Sequence, residues 1–599
     1  MEPAPGTNSD AEERGSRSVE EKSSSESATA GARDPSHEVG ADVDSESQVA
    51  QPPAAPEWKI GRQELYIILS LTVINMVVAL DSSIIITALK TMTVALGADT
   101  TQGFWIGTSF LLASTVAMPP IASLSEVFGR PACLLCALAL FTLGSVLCSA
   151  ARGVRLLLAG RAVQGVGAGG IWMVSLLLLT DLVPLRHRPK WWAVISLGWA
   201  AGLVAGPLVG GAIVQRTTWR WIFYLNFPFC AFGLVVTPWL LTIRPRAESM
   251  RVKLARIDWI GGALFTAGLT LFLFALSSAG IQFAWSSAEI IATLVIGFVG
   301  LVATGVWEGF FAKEPMLKHS LFYNWSSNIA YLGGFVQGLV MYGENYYVPF
   351  FFQSAKAMTP LRAGINLLPA LLGAVTGALV SRYNNYRYAI WLGWFFVTLS
   401  CGLEILWDAD VSTGVWVVSL IVMGIGHGIV LNAQTFACQA MAQPGDIAAA
   451  AAMYGFVRQL GSAVGHDLAE CGGAEAGLGG LPVEIAYHAE AYLDEFHISM
   501  PDGGGDDPTR RKAVTSAFVF GFAGVWQVFL GISGVVFVLS FFVRHFDMDK
   551  AIESEHRLEQ NSGASSGSGD GNSDMGSRRQ RQPWEDLQAI AAAEIQARS

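Results

Sequence analysis

Long apolar runs recur through the middle of this chain and are separated by short polar stretches. An α-helix needs about 20 apolar residues to cross the hydrocarbon core of a bilayer, which is the length of these runs. Fourteen membrane helices are therefore predicted, at 65–89, 103–123, 131–150, 156–180, 191–214, 220–243, 257–279, 288–307, 327–352, 362–380, 388–407, 414–440, 446–467 and 515–543. The pattern predicts an all-α polytopic membrane protein.

The composition argues against a soluble enzyme. Of the 599 residues, 52% are hydrophobic and only 14% are charged, whereas soluble proteins carry about 25% charged residues. The sequence has no GxxxxGK[ST] phosphate loop and no basic patch, which disfavours an ATP-driven pump and nucleic-acid binding. Cys133 and Cys136 form a CxxC inside an apolar run, so we interpret them as buried thiols rather than a metal site.

The two ends of the chain differ from its middle. Residues 1–57 carry 13 acidic and 4 basic side chains, and both this segment and 544–599 are rich in small polar residues. Such segments cannot bury enough apolar surface to offset the entropy of ordering. We predict a disordered cytoplasmic tail at 1–57 and a mostly disordered one at 544–599.

The distribution of basic residues predicts the orientation in the membrane. If the N-terminus is cytoplasmic, the short inner loops hold 13 Lys and Arg and the short outer loops hold 6. Basic residues are retained on the cytoplasmic side, so both termini are predicted inside. The plasma membrane is the predicted location, with the vacuolar membrane as the alternative.

The loops also predict how the helices are grouped. The most basic loop, Arg244 to Arg256, follows six runs, and six further runs begin at Ser327. We predict an N-terminal six-helix bundle at 58–243 and a C-terminal six-helix bundle at 327–543. The segment 244–326 between them is predicted to hold a basic linker and two extra transmembrane helices.

Two charged residues fall inside apolar runs of the first half. Asp81 in the first run is costly unless it faces a cavity or a partner, so it is a proton-binding acid or a structural helix-packing acid. Arg161 in the fourth run cannot lose its proton and must find acceptors. We hypothesise that Arg161 pairs with Asp81. The alternative is an arginine that extends to the membrane surface.

Two other patterns suggest conformational roles. Glu126 and Arg130 flank a glycine after the second run, where charges can latch neighbouring helix ends, although an ordinary cytoplasmic loop would look similar. The fifth run places small residues on one face and a proline among them, which permits close packing and bending, or static packing alone. These residues are Gly202, Gly206, Pro207, Gly210 and Gly211.

Several ordered motifs resemble one family. They read LDSSIIITAL at 80–89, SLSEVFGRP at 123–131, LLAGRAVQGVGAGG at 157–170, GLVAGPLVGG at 202–211 and WRWIFYLNFP at 219–228. They are similar to the motifs of the major facilitator superfamily, specifically its fourteen-helix fungal drug:proton antiporter branch. The similarity runs from about Leu65 to Val543.

The resemblance implies two six-helix bundles with two extra linking helices and alternating access to a central cavity. It implies proton-coupled export of amphipathic drugs, toxins or secondary metabolites by a monomer, driven by the proton gradient without a cofactor. The partners would be a small organic substrate, protons and the lipid bilayer. Alternatives are a proton-coupled importer of a nutrient or iron chelate, and a non-transporting membrane sensor.

Further candidates lie in the second half. Glu344, deep in the ninth run beside tyrosines, is a predicted proton site, and His427 is either a titrating or a packing histidine. Glu404 lies three residues from Trp407 at a predicted outer helix end, which favours an interfacial role. Arg458 needs an acceptor and is grouped with the charge network. The substrate-cavity candidates are Asn226, Gln337, Tyr342, Tyr346 and Gln434.

The sequence departs from the family pattern in several places, among them the loop motif after the second run and the stretch after Gly465. Glu126 stands where aspartate is usual in the loop motif. After Gly465 the apolar run gives way to His466-Asp467-Leu468-Ala469-Glu470. A frame or splice-site error across residues 466–480 would produce such a break, so the thirteenth helix is predicted to be incomplete.

Overall fold

The computed structural model describes residues 60–241, 249–280, 282–356, 358, 360–370, 386–443, 445–476, 508–544 and 546. The predicted tails at 1–57 and 544–599 lie almost wholly outside these residues, as does most of the tenth predicted run and the end of segment 466–480. Within the described residues the secondary structure is helical, and the only β-type pairing is a single bridge between Ala279 and Phe283.

The first group of helices follows the first six apolar runs. Its bounds are α1 Arg62–Leu96, α2 Thr100–Phe128, α3 Arg130–Ser149, α4 Val154–Leu182, α5 Arg188–Arg216, α6 Trp221–Tyr224 and α7 Asn226–Leu240. Local sequence sets several boundaries. The Asp99 side chain caps α2 by accepting from the backbone N–H of Gln102 at 2.6 Å. Gly129, with φ of 92°, makes the turn between α2 and α3.

Three helices connect this group to the second. They are α8 Met250–Ala255, α9 Trp259–Ser278 and α10 Ala288–Phe310. The side chains of Asp258 and Ser287 cap α9 and α10 by accepting backbone N–H groups. The two long helices pack against each other, with Gly268 and Gly297 at their contact.

The second group occupies the rest of the described chain. Its bounds are α11 Trp325–Ser354, α12 Pro360–Ile365, α13 Tyr386–Glu404, α14 Thr413–Met441, α15 Ile447–Ala476 and α16 Pro508–Ser540. The helix α15 continues without interruption past Gly465, where the sequence predicts a break. Residues 466–476 are therefore helical, and the predicted break does not occur within them.

Packing partners divide along the same lines. In the first group α1 packs on α5, and α4 packs on both α2 and α3. In the second group α11 packs on α15, and α13 packs on α14 and α16. The two groups meet where α15 contacts α2 and α4, and where α5 contacts α12 and α14. The predicted domain bounds remain a prediction.

Ten helical segments of the described chain are long and apolar enough to cross a membrane. The long helices α11, α13 and α15 are not among them. The predicted total of fourteen spans thus remains a prediction, whereas the all-α membrane architecture is confirmed.

Candidate functional site

A buried polar cluster joins four helices of the first group. It consists of Asp81 on α1, Ser145 on α3, Arg161 and Gln164 on α4, and Asn226 on α7, and we call it the N-terminal cluster. Asp81 and Arg161 form an ion pair in which guanidinium Nη1 lies 2.7 Å from Oδ2. The pairing hypothesised from the sequence is present.

The carboxylate of Asp81 accepts hydrogen bonds at both oxygens. Besides Arg161, it receives Gln164 Nε2 at 2.8 Å and Asn226 Nδ2 at 2.6 Å, both at Oδ1. Burial of a charge is costly unless it is paired and hydrogen-bonded, and three donors meet that requirement. The arrangement fits a charged carboxylate held in one position.

Arg161 is satisfied by a second set of contacts. Its Nε donates to the carbonyl of Ile106 at 3.1 Å, its Nη1 also donates to Gln164 Oε1, and its guanidinium lies 4.2 Å from the ring centroid of Phe110. The side chain is 1% exposed. The alternative of an arginine extending to the membrane surface is therefore wrong.

A second buried polar cluster joins four helices of the second group. It consists of Gln337 and Glu344 on α11, Cys401 and Glu404 on α13, His427 on α14 and Arg458 on α15, and we call it the C-terminal cluster. Glu344 Oε2 lies 2.7 Å from His427 Nε2, and the thiol of Cys401 donates to Glu344 Oε1 at 3.4 Å. Arg458 Nε donates to Gln337 Oε1 at 2.9 Å, which supplies its predicted acceptor.

The sequence-based interpretation of Glu404 as an interfacial residue is wrong. Glu404 is fully buried, and neighbouring Trp407 is only 3% exposed. The ring of Trp407 packs on Phe351 and Trp526, with centroid distances of 5.2 and 6.3 Å. Sequence spacing cannot reveal this, because α16, which supplies Trp526, is more than 100 residues away along the chain.

The two charged residues at the turn between α2 and α3, Arg130 and Glu126, have different surroundings. Arg130 is buried and its Nε pairs with Asp181 Oδ2 at 3.1 Å, while a further nitrogen donates to Ser125. This pair joins the start of α3 to the end of α4, so Arg130 does connect neighbouring helix ends. Glu126 is exposed and is drawn electrostatically to Lys318.

Two contacts at this same end were missed by sequence reasoning. Arg188, at the start of α5, donates to Gln439 Oε1 on α14 at 2.6 Å and to the carbonyls of Val183 and Thr180. This bond crosses from the first helix group to the second. Arg188 counted only as a loop charge in the sequence, and its distance of 251 residues from Gln439 leaves no local signal.

The second missed contact is an ion pair between Lys318, which precedes α11, and Asp446, which precedes α15. Lys318 Nζ lies 2.8 Å from Asp446 Oδ1, and the Ser320 hydroxyl donates to Oδ2 at 2.7 Å. Burial lowers the pKa of Lys318, but its hydrogen bond to Asp446 and the nearby acidic charges outweigh that effect and raise it. Burial raises the pKa of Asp446, yet donation by Lys318 and Ser320 brings it below its usual value.

The glycines predicted to permit close packing line the contact between α5 and α1. A Cβ added at Gly206 would lie 2.9 Å from the backbone nitrogen of Ile84, and one at Gly210 would lie 2.7 Å from the Ile84 carbonyl. Gly202 is similarly close to the carbonyl of Met76. Gly211 has nothing within 4 Å, so it lies off this seam.

The second group has a matching seam that the sequence analysis did not identify. A Cβ added at Gly461 or Gly465 of α15 would meet the carbonyl of Phe335 or Leu339 on α11. Gly338 of α11 likewise abuts the carbonyl of Arg458. Glycines four residues apart therefore bring the two backbones together in both groups.

Comparison with known proteins decides the family. The family model described as Major Facilitator Superfamily matches residues 71–466. This chain belongs to that superfamily.

Fungal relatives match along most of the chain. MFS transporter L2 of a Phoma species is 35% identical over 536 residues, covering 87% of this chain and 88% of the relative. Efflux pump FUS6 of Gibberella fujikuroi is 31% identical, covering 86% and 95%. Among solved structures, a double-tryptophan mutant of XylE aligns with a TM-score of 0.51 at 13% identity, covering 81% of this chain and 96% of that one. That likeness shows the fold alone.

Membership makes this protein a membrane transporter rather than an enzyme, of a kind that typically needs no cofactor and binds small molecules. Of the predicted cavity residues in the second group of this facilitator, three lie outside the C-terminal cluster. Tyr342 and Tyr346 are half-buried on α11, where Tyr346 packs edge-on to Tyr347 at 5.6 Å. Gln434 on α14 is buried, and its Oε1 has no hydrogen-bond partner among the described residues.

The other two cavity candidates belong to the buried polar clusters. Asn226 and Gln337 are fully buried and hydrogen-bonded inside the two polar clusters. Between the helix groups of this facilitator, Arg458 lies 5.9 Å from the ring centroid of Trp172 on α4. Trp172 stacks edge-on with Trp192 of α5 at 5.7 Å. At this point the helix groups thus meet through aromatic rings and the guanidinium of Arg458, and neither tryptophan was a candidate from the sequence.

Proposed function

We propose that this protein is a secondary active transporter that exports amphipathic organic compounds in exchange for protons. The observation that carries the proposal is its similarity along most of its length to relatives named as efflux pumps. The glycine seam of α5, with Pro207 among its residues, supports the same direction of transport because it matches the antiporter motif.

The two buried clusters support coupling to protons. Each places a carboxylate in the membrane interior, where an ionisable residue usually serves transport. Within the C-terminal cluster, Glu344 pairs with His427, whose imidazole nitrogens can each donate or accept a proton. We propose Glu344 and His427 as the proton-coupling residues. Asp81, paired with a permanently charged arginine, is proposed as the weaker candidate.

We propose that substrate binds between the helix groups. Trp172 of the first group and Tyr342, Tyr346 and Gln434 of the second would line the site, with Arg458 at its edge. Apolar walls with a few polar groups suit a large and moderately apolar organic molecule. Substrate identity at this site would follow from shape and aromatic contact more than from charge.

The remaining assignments are proposals too. We propose a plasma-membrane monomer with both termini cytoplasmic and with bundles at 58–243 and 327–543. The basic residues Arg130, Arg188 and Lys318 all bind at helix ends predicted to be cytoplasmic, which supports that orientation. In this arrangement the Arg188–Gln439 bond would hold the inner end closed.

The test uses purified protein in liposomes. A pump-deficient yeast strain expressing the chain first identifies, from a panel of amphipathic compounds, one whose cellular level falls. That compound is then supplied outside proteoliposomes that have an acidic or an alkaline lumen. Exchange for protons predicts accumulation only with the acidic lumen, and a protonophore or protein-free liposomes should abolish it.

The alternatives give different results in the same assay. Accumulation only with the alkaline lumen would establish proton symport and thus import. A level of the compound that rises in the expressing cells would point the same way. The absence of transport of every compound tested, together with altered signalling on exposure to one of them, would favour the membrane sensor.

A further inference from the structure

The C-terminal cluster contains two buried acids, and only Glu344 accepts side-chain hydrogen bonds among the described residues. One carboxylate oxygen each of Glu344 and Glu404, and the sulfur of Cys401, all lie within 4.8 Å of one another. All three side chains are fully buried. Glu404 therefore faces another acid, and this pair is absent from the motifs that identify the family.

The hydrogen bonds of the cluster fix the charge of Glu344. Arg458 can only donate, so Gln337 presents its oxygen to Arg458 and turns its Nε2 toward His427 Nδ1, at 3.5 Å. That contact makes Nδ1 an acceptor and places the imidazole proton on Nε2, which donates to Glu344. With the thiol of Cys401 as a second donor, Glu344 is satisfied as a carboxylate.

Glu404 has the opposite surroundings. Neither of its two oxygens has a hydrogen-bond partner among the described residues, although the side chain is fully buried. An ionised carboxylate in that position would be unpaired in an apolar interior and would repel the charge of Glu344. Two carboxylates at this separation, away from water, do not both ionise.

Among the described residues, the helices packed around Glu404 supply no neutralising cation. On α11 the only charged residue is Glu344, and on α14 the only ionisable group other than cysteine is His427. On α13 itself, Arg387 lies near the opposite end of the helix. On α16 the basic residues Arg510, Arg511 and Lys512 are confined to the start, and no charged residue occurs from Ala513 to Ser540.

We propose that Glu344 and Glu404 form a carboxyl pair that shares one proton, which rests on Glu404 in this conformation. The proposal rests on the proposed proton-coupled function and adds a second acid to its proton site. Transfer breaks the O–H bond of Glu404 and forms one on Glu344, so the negative charge moves from Glu344 to Glu404. His427 then loses its charged acceptor, which loosens the contact between α11 and α14.

The decisive experiment detects the proton directly. Infrared spectroscopy of the full-length protein in lipid nanodiscs at neutral pH reports the carbonyl stretch of a protonated carboxyl group. We expect wild type to show such a band, Glu404→Gln to lose it, and the matched control Glu289→Gln, at an exposed site on α10, to keep it. The isosteric amide imitates the protonated acid, so Glu404→Gln is expected to fold.

A second variant keeps the test decisive if Glu404→Gln is not recovered. In Glu344→Gln the band should remain, because Glu404 stays buried and unpaired. Loss of the band in Glu344→Gln, or its persistence in Glu404→Gln, would place the proton elsewhere and overturn the proposal. A wild-type protein without any such band would also overturn it.

The spectroscopic result is independent of the transport assay, since it needs neither a substrate nor a gradient. If the band behaves as expected but no compound is exchanged for protons, the proposed function fails while the shared proton site stands. If exchange is observed but the band persists in Glu404→Gln, the proposed function stands and the carboxyl pair fails.

Discussion

Each helix group has a buried acid at the same position along its first helix, but the two acids have different partners. Asp81 lies 19 residues after the first residue of α1, and Glu344 lies 19 residues after the first residue of α11. Each pairs with a base on the fourth helix of its group, Arg161 on α4 or His427 on α14. The halves of this superfamily are structural repeats, which accounts for the correspondence.

The two bases differ in chemistry, because Arg161 is permanently charged whereas the imidazole of His427 can be neutral or protonated. Arginine stays protonated in proteins, so Arg161 keeps its charge beside Asp81. Histidine can be neutral or protonated, and neither oxygen of the second acid, Glu404, has a hydrogen-bond partner among the described residues. We therefore propose a structural role for the N-terminal cluster and a role in proton transfer for the C-terminal cluster.

The largest effect should follow from breaking the fixed pair. Asp81→Asn leaves the guanidinium of Arg161 buried without its carboxylate, and removing one partner of a buried ion pair costs about 3–5 kcal/mol. We expect a large loss of thermal stability in detergent. Adding Arg161→Leu to Asp81→Asn should recover part of that loss, because no unpaired charge then remains.

The opposite outcome would reverse the comparison. If Asp81→Asn keeps the wild-type melting temperature and loses only transport driven by a pH gradient, Asp81 carries protons rather than fastening helices. An unaltered exchange of labelled for unlabelled substrate would show that such a variant still binds and moves its substrate.

The next effect concerns the titratable acid. Glu344→Gln removes the charge that His427 and Cys401 stabilise, while leaving a side chain of the same shape that can still accept their hydrogen bonds. We expect pH-driven transport to be lost and substrate exchange without a gradient to remain. The stability loss should be smaller than for Asp81→Asn, since no permanently charged partner is left unpaired. Retained pH-driven transport would exclude Glu344 as a proton carrier.

A smaller effect tests whether the first group is also fastened by backbone contact. In Gly206→Ala the added methyl would meet Ser83 and the backbone of Ile84, so α5 must move away from α1. Overpacking of this kind costs about 1–3 kcal/mol. The matched control is Gly211→Ala, which adds a methyl with nothing within 4 Å and should not destabilise the protein. Equal melting temperatures for the two variants would refute the close-packing role of α5.

The sequence predicts the helices well and the partners of buried groups only in part. Apolar runs indicate the membrane helices because the thickness of the bilayer fixes the length of a helix that crosses it. Arg161 predicts a partner because its side chain stays charged and needs acceptors. The Arg188–Gln439 bond and the burial of Glu404 could not be foreseen, because each depends on residues brought together from distant helices. The break predicted after Gly465 does not appear as far as Ala476, the last described residue of α15.

The smallest expected effect concerns Lys318 and Asp446, a pair that is satisfied like Asp81 and Arg161 but lies outside the membrane helices. Asp446 has a lowered pKa, so its contribution is present above the pKa of the unfolded chain and is lost as pH falls through the folded value. Lys318 has a raised pKa, so its contribution is lost only as pH rises through a value above 10.5. Both groups therefore stay charged at any physiological pH.

Since partly exposed ion pairs contribute about 0–1 kcal/mol, Asp446→Asn should lower the melting temperature only slightly at pH 7. The difference from wild type should disappear in strong acid. A large decrease in melting temperature at neutral pH would mean that this partly exposed pair stabilises the helix ends as strongly as Asp81 and Arg161 stabilise the interior.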